Sequence, residues 1–205
     1  MIIYKLTRQD RTTRGRFKYP PKGSRLPELG GKGELCSKHW YHGYAHPLLA
    51  VLHAPIHVPT DYTKMIEIEV PEVYAPDQMK LGFTTGIVGR VIPLPKITLE
   101  QKIRYAIGGA CSVCQKKSFR KWADDWISGK DRSEEAATVA KFFVSSDTWD
   151  DRAAVWAIKT VIGIGSAAIV AGASTWAAWG NLNLIRIAEW AMTDKPLSEL
   201  FEGRV

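Results

Sequence analysis

Arg90–Ala110 reads RVIPLPKITLEQKIRYAIGGA, and within it the chain changes its period. The Arg90-Val91-Ile92 end is β-branched and strand-like, and Pro93 and Pro95 then deny the sheet two donors. Thr98-Leu99-Glu100-Gln101 is a capping box, in which the Thr hydroxyl accepts from the Gln101 amide and the Gln side chain reaches back. Ile103, Ala106, Ile107, Ala110, Cys111 and Cys114 follow at helical spacing and predict one buried face. A strand-bearing half therefore ends at about residue 97 and a helical half begins at residue 98.

Upstream of that switch the signals are those of strands. Ile2–Leu6 is a β-branched and aromatic run, Glu34–Ser37 a second candidate, and Lys64–Val70 alternates. In that alternation Ile66, Ile68 and Val70 take one face and Glu67 and Glu69 the other. Phe83–Ile92 is a further strand, with Gly86 and Gly89 marking a bulge or bend. Pro47 opens a short apolar helix over Leu48–Leu52 that Pro55 stops.

Downstream, Ser118–Ile127 turns Phe119, Trp122 and Trp126 inward and stops at Gly129. Asp131 or Ser133 caps a helix that runs through Ala140 to Val144, and Asp147 caps the next from Trp149. Leu182–Met192 is the last helix before a tail at Pro196. Val161–Trp179 is uncharged, but Gly163, Gly165 and Gly172 interrupt it and Ala dominates over Leu. It reads as a buried helical hairpin rather than a membrane span. The fold class expected is α+β: a small, mostly antiparallel sheet module over 1–97, then an α-helical bundle over 98–205.

At 205 residues, 45% hydrophobic and 24% charged, the chain has the makeup of an ordinary globular protein. Met1–Tyr4 lacks the basic and apolar regions of a signal peptide, and three cysteines do not make a secreted disulfide framework. The expectation is a cytoplasmic protein. Residues 1–60 hold ten Lys/Arg against three acids, an excess equal to the +7 of the whole chain. Most of it lies in Arg8–Arg25, where Arg8, Arg11, Arg14, Arg16 and Lys18 interleave with Phe17 and Tyr19. Such a loop can follow phosphates, its rings stacking on bases, or dock on an acidic protein surface. By itself a charge run amid Pro and Gly describes a solvated loop.

All five histidines fall between Gly33 and Val58, around Trp40-Tyr41. Cys36-x-x-His39 with Cys111-x-x-Cys114 has the spacing of a zinc site, although Cys111 and Cys114 also fit the apolar face of a helix. His42/His46 and His53/His57 are each four apart, but Gly43, Pro47 and Pro55 interrupt any single helix through them. Backbone-bonded imidazoles are the commoner outcome. Asp124-Asp125 and Asp150-Asp151 read as solvated helix faces or caps, not catalytic carboxylates. The chain carries no G-x-S-x-G, P-loop, G-x-G-x-x-G or H-E-x-x-H motif.

Tyr4-Lys5-Leu6-Thr7, Glu34-Leu35-Cys36, Trp40, His42, Pro47–Leu52, Pro55-Ile56-His57 and Arg90–Pro93, followed by Thr98–Ala110 and Trp122–Trp126, resemble a family of uncharacterised phage and prophage proteins. That family has an α+β module and an Ala-rich helical tail, from which this chain departs by placing Ile and Trp at many of the alanines. The resemblance implies a phage accessory protein in the host cytoplasm. The family carries no established activity to transfer; with catalytic motifs also missing from this chain, the leading expectation is a protein that acts by binding, as an inhibitor of a host defence or regulatory complex, through the basic loop with Trp40 and Tyr41.

A fainter resemblance is to ADP-ribosyltransferase-like folds. It implies NAD as cofactor, with Tyr4 or His42 at the nicotinamide and Glu67 or Glu69 at the ribose. Nucleic acid is the third class of partner, a membrane is not expected, and zinc at Cys36, His39, Cys111 and Cys114 is the one metal the spacing suggests.

Overall fold

A computed structural model describes residues 1–13, 16–35, 37–53, 62–74, 80–144, 148–162 and 183–202. The chain forms two compact units, Met1–Lys96 and Ile97–Val205, and each is described by itself. It is α+β: antiparallel sheets in the first unit and helices through the second.

In the first unit β1 (Ile2–Thr7), β3 (Lys64–Glu69) and β5 (Ile87–Ile92) form an antiparallel sheet in the order β1-β3-β5. Ile3 pairs with Ile68 and Lys5 with Ile66, so this face carries the core, closed by Val88, Leu26, Tyr19, Tyr41 and Phe83. Tyr4 pairs with Glu67 and Ile2 with Glu69 on the opposite face. That face is not wholly polar, since Leu6 and Met65 are buried on it.

β2 (Tyr41–Gly43) pairs with β4 (Leu81–Phe83) in a second, two-stranded sheet. The single strand expected over Phe83–Ile92 is thus two strands in two sheets. Between them Thr84 and Gly86 accept from Leu29 N and Leu26 N, each at 2.8–2.9 Å, so the first stretch after the basic loop takes the pairing that would have extended β4. The described residues of the strand expected at Glu34–Ser37 (Glu34, Leu35 and Ser37) are not in a strand. Ser37 Oγ accepts from His39 N at 3.3 Å and closes a turn, and pairing starts only at Tyr41. Cys36 lies outside the described residues. Helix α1 (Pro47–Leu52) begins at Pro47 as its composition requires, with His46 as N-cap.

The second unit opens on α2 (Leu99–Val113), whose capping box is formed at 3.1 Å to Thr98 Oγ1 and 2.9 Å to Gln101 Oε1. Its apolar face is buried from Ile103 to Cys111 and packs against α5 (Trp149–Val161) and α6 (Leu184–Ala191). Gly108 permits the α6 approach, because a Cβ there would lie 3.0 Å from Trp190 and 3.1 Å from Ile187. Helix α3 (Lys117–Ile127) buries Phe119, Trp122 and Trp126 and ends at Gly129, φ +77°.

Ser133 caps α4 (Glu134–Phe142), while Thr148 caps α5 where Asp147 was expected; Asp147 itself lies outside the described residues. The expected tail after Pro196 is a short helix, α7 (Leu197–Phe201), held where Arg104 donates to the Lys195 carbonyl at 2.5 Å and Trp190 Nε1 to that of Pro196 at 3.1 Å. Asp151, read as solvated, is buried beside Lys116 and Cys114. No helix among the described residues is long and apolar enough to cross a membrane, and most of the uncharged stretch Val161–Trp179 lies outside them.

Candidate functional site: a cationic aromatic cavity

Backbone hydrogen bonds, some within the loop and some to β5, hold the described residues of the basic loop. Asp10 Oδ1 accepts from Thr12 N at 2.9 Å and from Thr12 Oγ1 at 2.6 Å, holding the carboxyl below its usual range. Thr12 bridges to Lys18, and Thr13 N and Tyr19 N donate to Phe17 and Arg11 carbonyls, making a small hairpin. Farther on, Gly23 N donates to Val88 O and Val88 N to Ser24 O, which fastens the loop to the edge of β5. The sequence suggested solvated chain; long-range backbone bonds make it a wall.

Behind that wall lies a cavity of about 440 Å³, lined by Lys5, Phe17, Tyr19, Pro27, Leu29, Lys38, Trp40, Tyr41 and His42 with Thr13. This lies in the range of small-ligand sites. β1 supplies Lys5, β2 supplies Tyr41 and His42, and the loop supplies Phe17 and Tyr19. The rings fix one another: Phe17 stands 5.0 Å from Tyr19 and 5.3 Å from Tyr41, and Tyr41 stacks on Phe83 at 5.5 Å. Tyr41 also donates its hydroxyl to the Pro27 carbonyl at 3.0 Å, and Trp40 stacks on Tyr74 at 5.0 Å.

The charge inside comes from lysines. Burial, with a smaller contribution from the Lys80 charge, lowers Lys5 to about 8, so its ammonium stays mostly protonated at neutral pH. His42 is lowered by burial and by the Lys5 and Lys80 charges, against its bond to the Leu35 carbonyl, and is therefore neutral there. Burial also raises the phenols of Tyr19 and Tyr41. Among the described residues no carboxylate lines the cavity.

Trp40 and Tyr41, expected at a binding surface, therefore meet the basic loop, but through its rings rather than its arginines. Arg8 donates to the Thr13 carbonyl at 2.9 Å and Arg11 to that of Pro20, both within the loop. Arg16 and Lys18 are exposed, and Arg14 lies outside the described residues.

The four residues of the NAD-binding template are not brought together. His42 lines the cavity with Lys5, whereas Tyr4, Glu67 and Glu69 share the other face of the sheet. Glu67 is moreover clamped by Arg90, at 2.7 Å from Nε and 3.1 Å from the second nitrogen.

Of the four residues in the zinc spacing, Cys36 lies outside the described residues. His39 belongs to the first unit and Cys111 and Cys114 to the second, where both thiols are buried and burial pushes Cys111 up. Among the described residues no three His, Cys, Asp or Glu stand close enough to hold a metal ion. His46 and His53 instead occupy the two ends of α1. His57 is outside the described residues.

Lys5 was missed by sequence reading, yet it had a signal. If Ile3 faces the core, a strand's period of two puts Lys5 there as well. No protein-family model, curated protein or solved structure matches the chain.

Proposed function

We propose that the chain is a binding protein whose recognition site is the cavity behind the basic loop. In the setting that the phage-family resemblance implies, it is an accessory protein that occludes a host protein complex. The observation that carries the reading is the lining itself: preset rings and two lysines, with no carboxylate among the described lining residues. Such a concavity attracts an acidic partner and repels a basic one. The exposed Arg16 and Lys18 extend the same sign outward.

The test uses the full chain immobilised in host lysate. A stoichiometric partner is expected. The combined variant Arg16→Glu, Lys18→Glu and Lys38→Glu should bind that purified partner about tenfold or more weakly, with the deficit shrinking as salt rises. No stoichiometric partner, or unchanged affinity in the variant, would overturn the reading.

A further inference from the structure

We propose that the cavity recognises an aryl anion: a planar aromatic ring carrying a carboxylate or phosphate, either as a free small molecule or as a side chain such as phosphotyrosine on a partner. This rests on the cavity's being the binding site and names what enters it.

Shape and charge select the class together. Phe17, Tyr19, Trp40 and Tyr41 offer ring contacts on several sides, which a bare inorganic anion would leave unused. Lys5 and Lys38 both line the same space, and a neutral ring would leave their positive charge without a counter-charge. Lys5 sits on the core face of β1 opposite Ile66, so its stem has little freedom and its charge is delivered from a fixed strand. A volume of about 440 Å³ holds one substituted ring with room for water, not a polymer segment.

The walls are set before any ligand arrives. The Trp40–Tyr74 stack, the Tyr41–Pro27 hydrogen bond and the Phe17–Tyr19 edge contact hold three sides in place. Binding then costs little ordering entropy. His42 is committed to the Leu35 carbonyl and adds a neutral polar wall rather than a third charge.

A second cavity, of about 360 Å³ in the helical unit, lacks this logic. There Asp125 is paired with Lys121 at 2.5 Å and Lys130 at 3.3 Å, and Asp131 accepts from Ser133 N at 3.0 Å and Ser133 Oγ at 2.7 Å, so both lining carboxylates are already engaged.

The test titrates the isotope-labelled full chain at neutral pH with phenyl phosphate, inorganic phosphate and benzyl alcohol, followed by amide and indole NMR shifts. Phenyl phosphate should shift the Trp40 indole and the Lys5 and Lys38 amides. It should bind about tenfold or more tightly than either fragment. Lys5→Met should weaken it about tenfold, and Lys38→Met, at an exposed position whose loss leaves the core intact, should weaken it by a factor of about three. Equal affinity for inorganic phosphate, shifts that map elsewhere, or unchanged binding in both variants would overturn the inference.

A phosphotyrosine peptide that binds more tightly than phenyl phosphate assigns the anion to a partner chain, and equal affinity assigns it to a free ligand; both outcomes support the site. If the charge-reversal variant loses its partner while phenyl phosphate does not bind, the ligand class fails alone. If phenyl phosphate binds and no partner is captured, the protein-partner reading fails alone.

Discussion

Lys116 Nζ lies 3.0 Å from Asp151 Oδ2, and the side chain of Asp151 is only 7% exposed against 37% for that of Lys116. Lys116 is the N-cap residue of α3 and Asp151 lies in the first turn of α5, so the pair ties the starts of two helices together. Cys114 Sγ stands 4.0 Å from the other carboxylate oxygen. Removing Lys116 takes a cation away from a buried carboxylate, whereas removing Asp151 takes an anion away from an ammonium that water already reaches. Lys116→Met and Asp151→Asn should each cost about 1–3 kcal/mol, and the double variant should cost less than their sum by about 1 kcal/mol. Denaturant unfolding of the four proteins measures this. Additive costs would mean that the pair contributes no coupling.

Lys5 should oppose folding at neutral pH. Its folded value, about 8, lies below the 10.5 of the unfolded chain, so the fold disfavours the charged form. The penalty is present in full below pH about 8 and is lost as pH rises from about 8 toward 10.5, where the unfolded chain binds more protons. Its upper bound is about 3 kcal/mol, reduced because the residue as a whole is only half-buried. Lys5→Met should therefore melt higher than the wild type at pH 7, with the difference closing as pH approaches 10.5. A lower melting temperature at pH 7 would show that the ammonium has a stabilising partner. Charge held at a stability cost in a concave site is the usual mark of a binding role.

The arginines of the basic loop divide by what they touch. Arg11 is half-buried and donates to the Pro20 carbonyl, closing the loop from inside. Arg11→Ala should cost about 1–2 kcal/mol. Arg16 is exposed at φ +59°, where a side chain is strained and glycine is not. Arg16→Gly should leave stability unchanged or raise it by up to about 1 kcal/mol. Thermal melts of the two single variants separate these effects. Equal losses would mean that both act through charge alone.

The readable parts of the sequence were those whose cause is local. Thr98 and Gln101 satisfy each other within one turn, Gly129 takes its positive φ at the helix end, and Ile66 and Ile68 alternate with Glu67 and Glu69 along one strand. What could not be read depends on distant partners. The basic loop has no period of its own, and it is ordered by Gly23, Ser24, Leu26 and Leu29 pairing near β5. The same pairing splits Phe83–Ile92 between two sheets. At the site, Trp40 and Tyr41 were visible as an aromatic pair, whereas Lys5 required knowing that the face of Ile3 is the buried one. Asp151 looks like a first-turn acid in the sequence, and the packing of α2 against α5, with Cys114 at the end of α2, makes it interior.

Gly82 connects packing to recognition. It sits in β4 opposite His42, and a Cβ built on it would lie 2.3 Å from Leu35 Cδ1 and 3.1 Å from Trp40 Cε3. Leu35 Cδ1 is the end of a flexible side chain and can rotate, but Trp40 is held by its stack on Tyr74. Gly82→Ala must therefore press on the indole that lines the cavity. Gly43 makes the contrasting case: its Cβ would meet Ile3 Cγ2 at 2.1 Å and the Tyr4 carbonyl at 3.1 Å, in the core and against backbone. Overpacking at either position should cost about 1–3 kcal/mol, with Gly43→Ala at the upper end because neither neighbour can turn away. The two should differ in binding. Gly82→Ala should shift the Trp40 indole resonance and weaken phenyl phosphate by a factor of about three or more, while Gly43→Ala, compared at a temperature where both are folded, should bind as the wild type does. If Gly82→Ala left the Trp40 resonance and the affinity unchanged, the indole would not be a wall of the site.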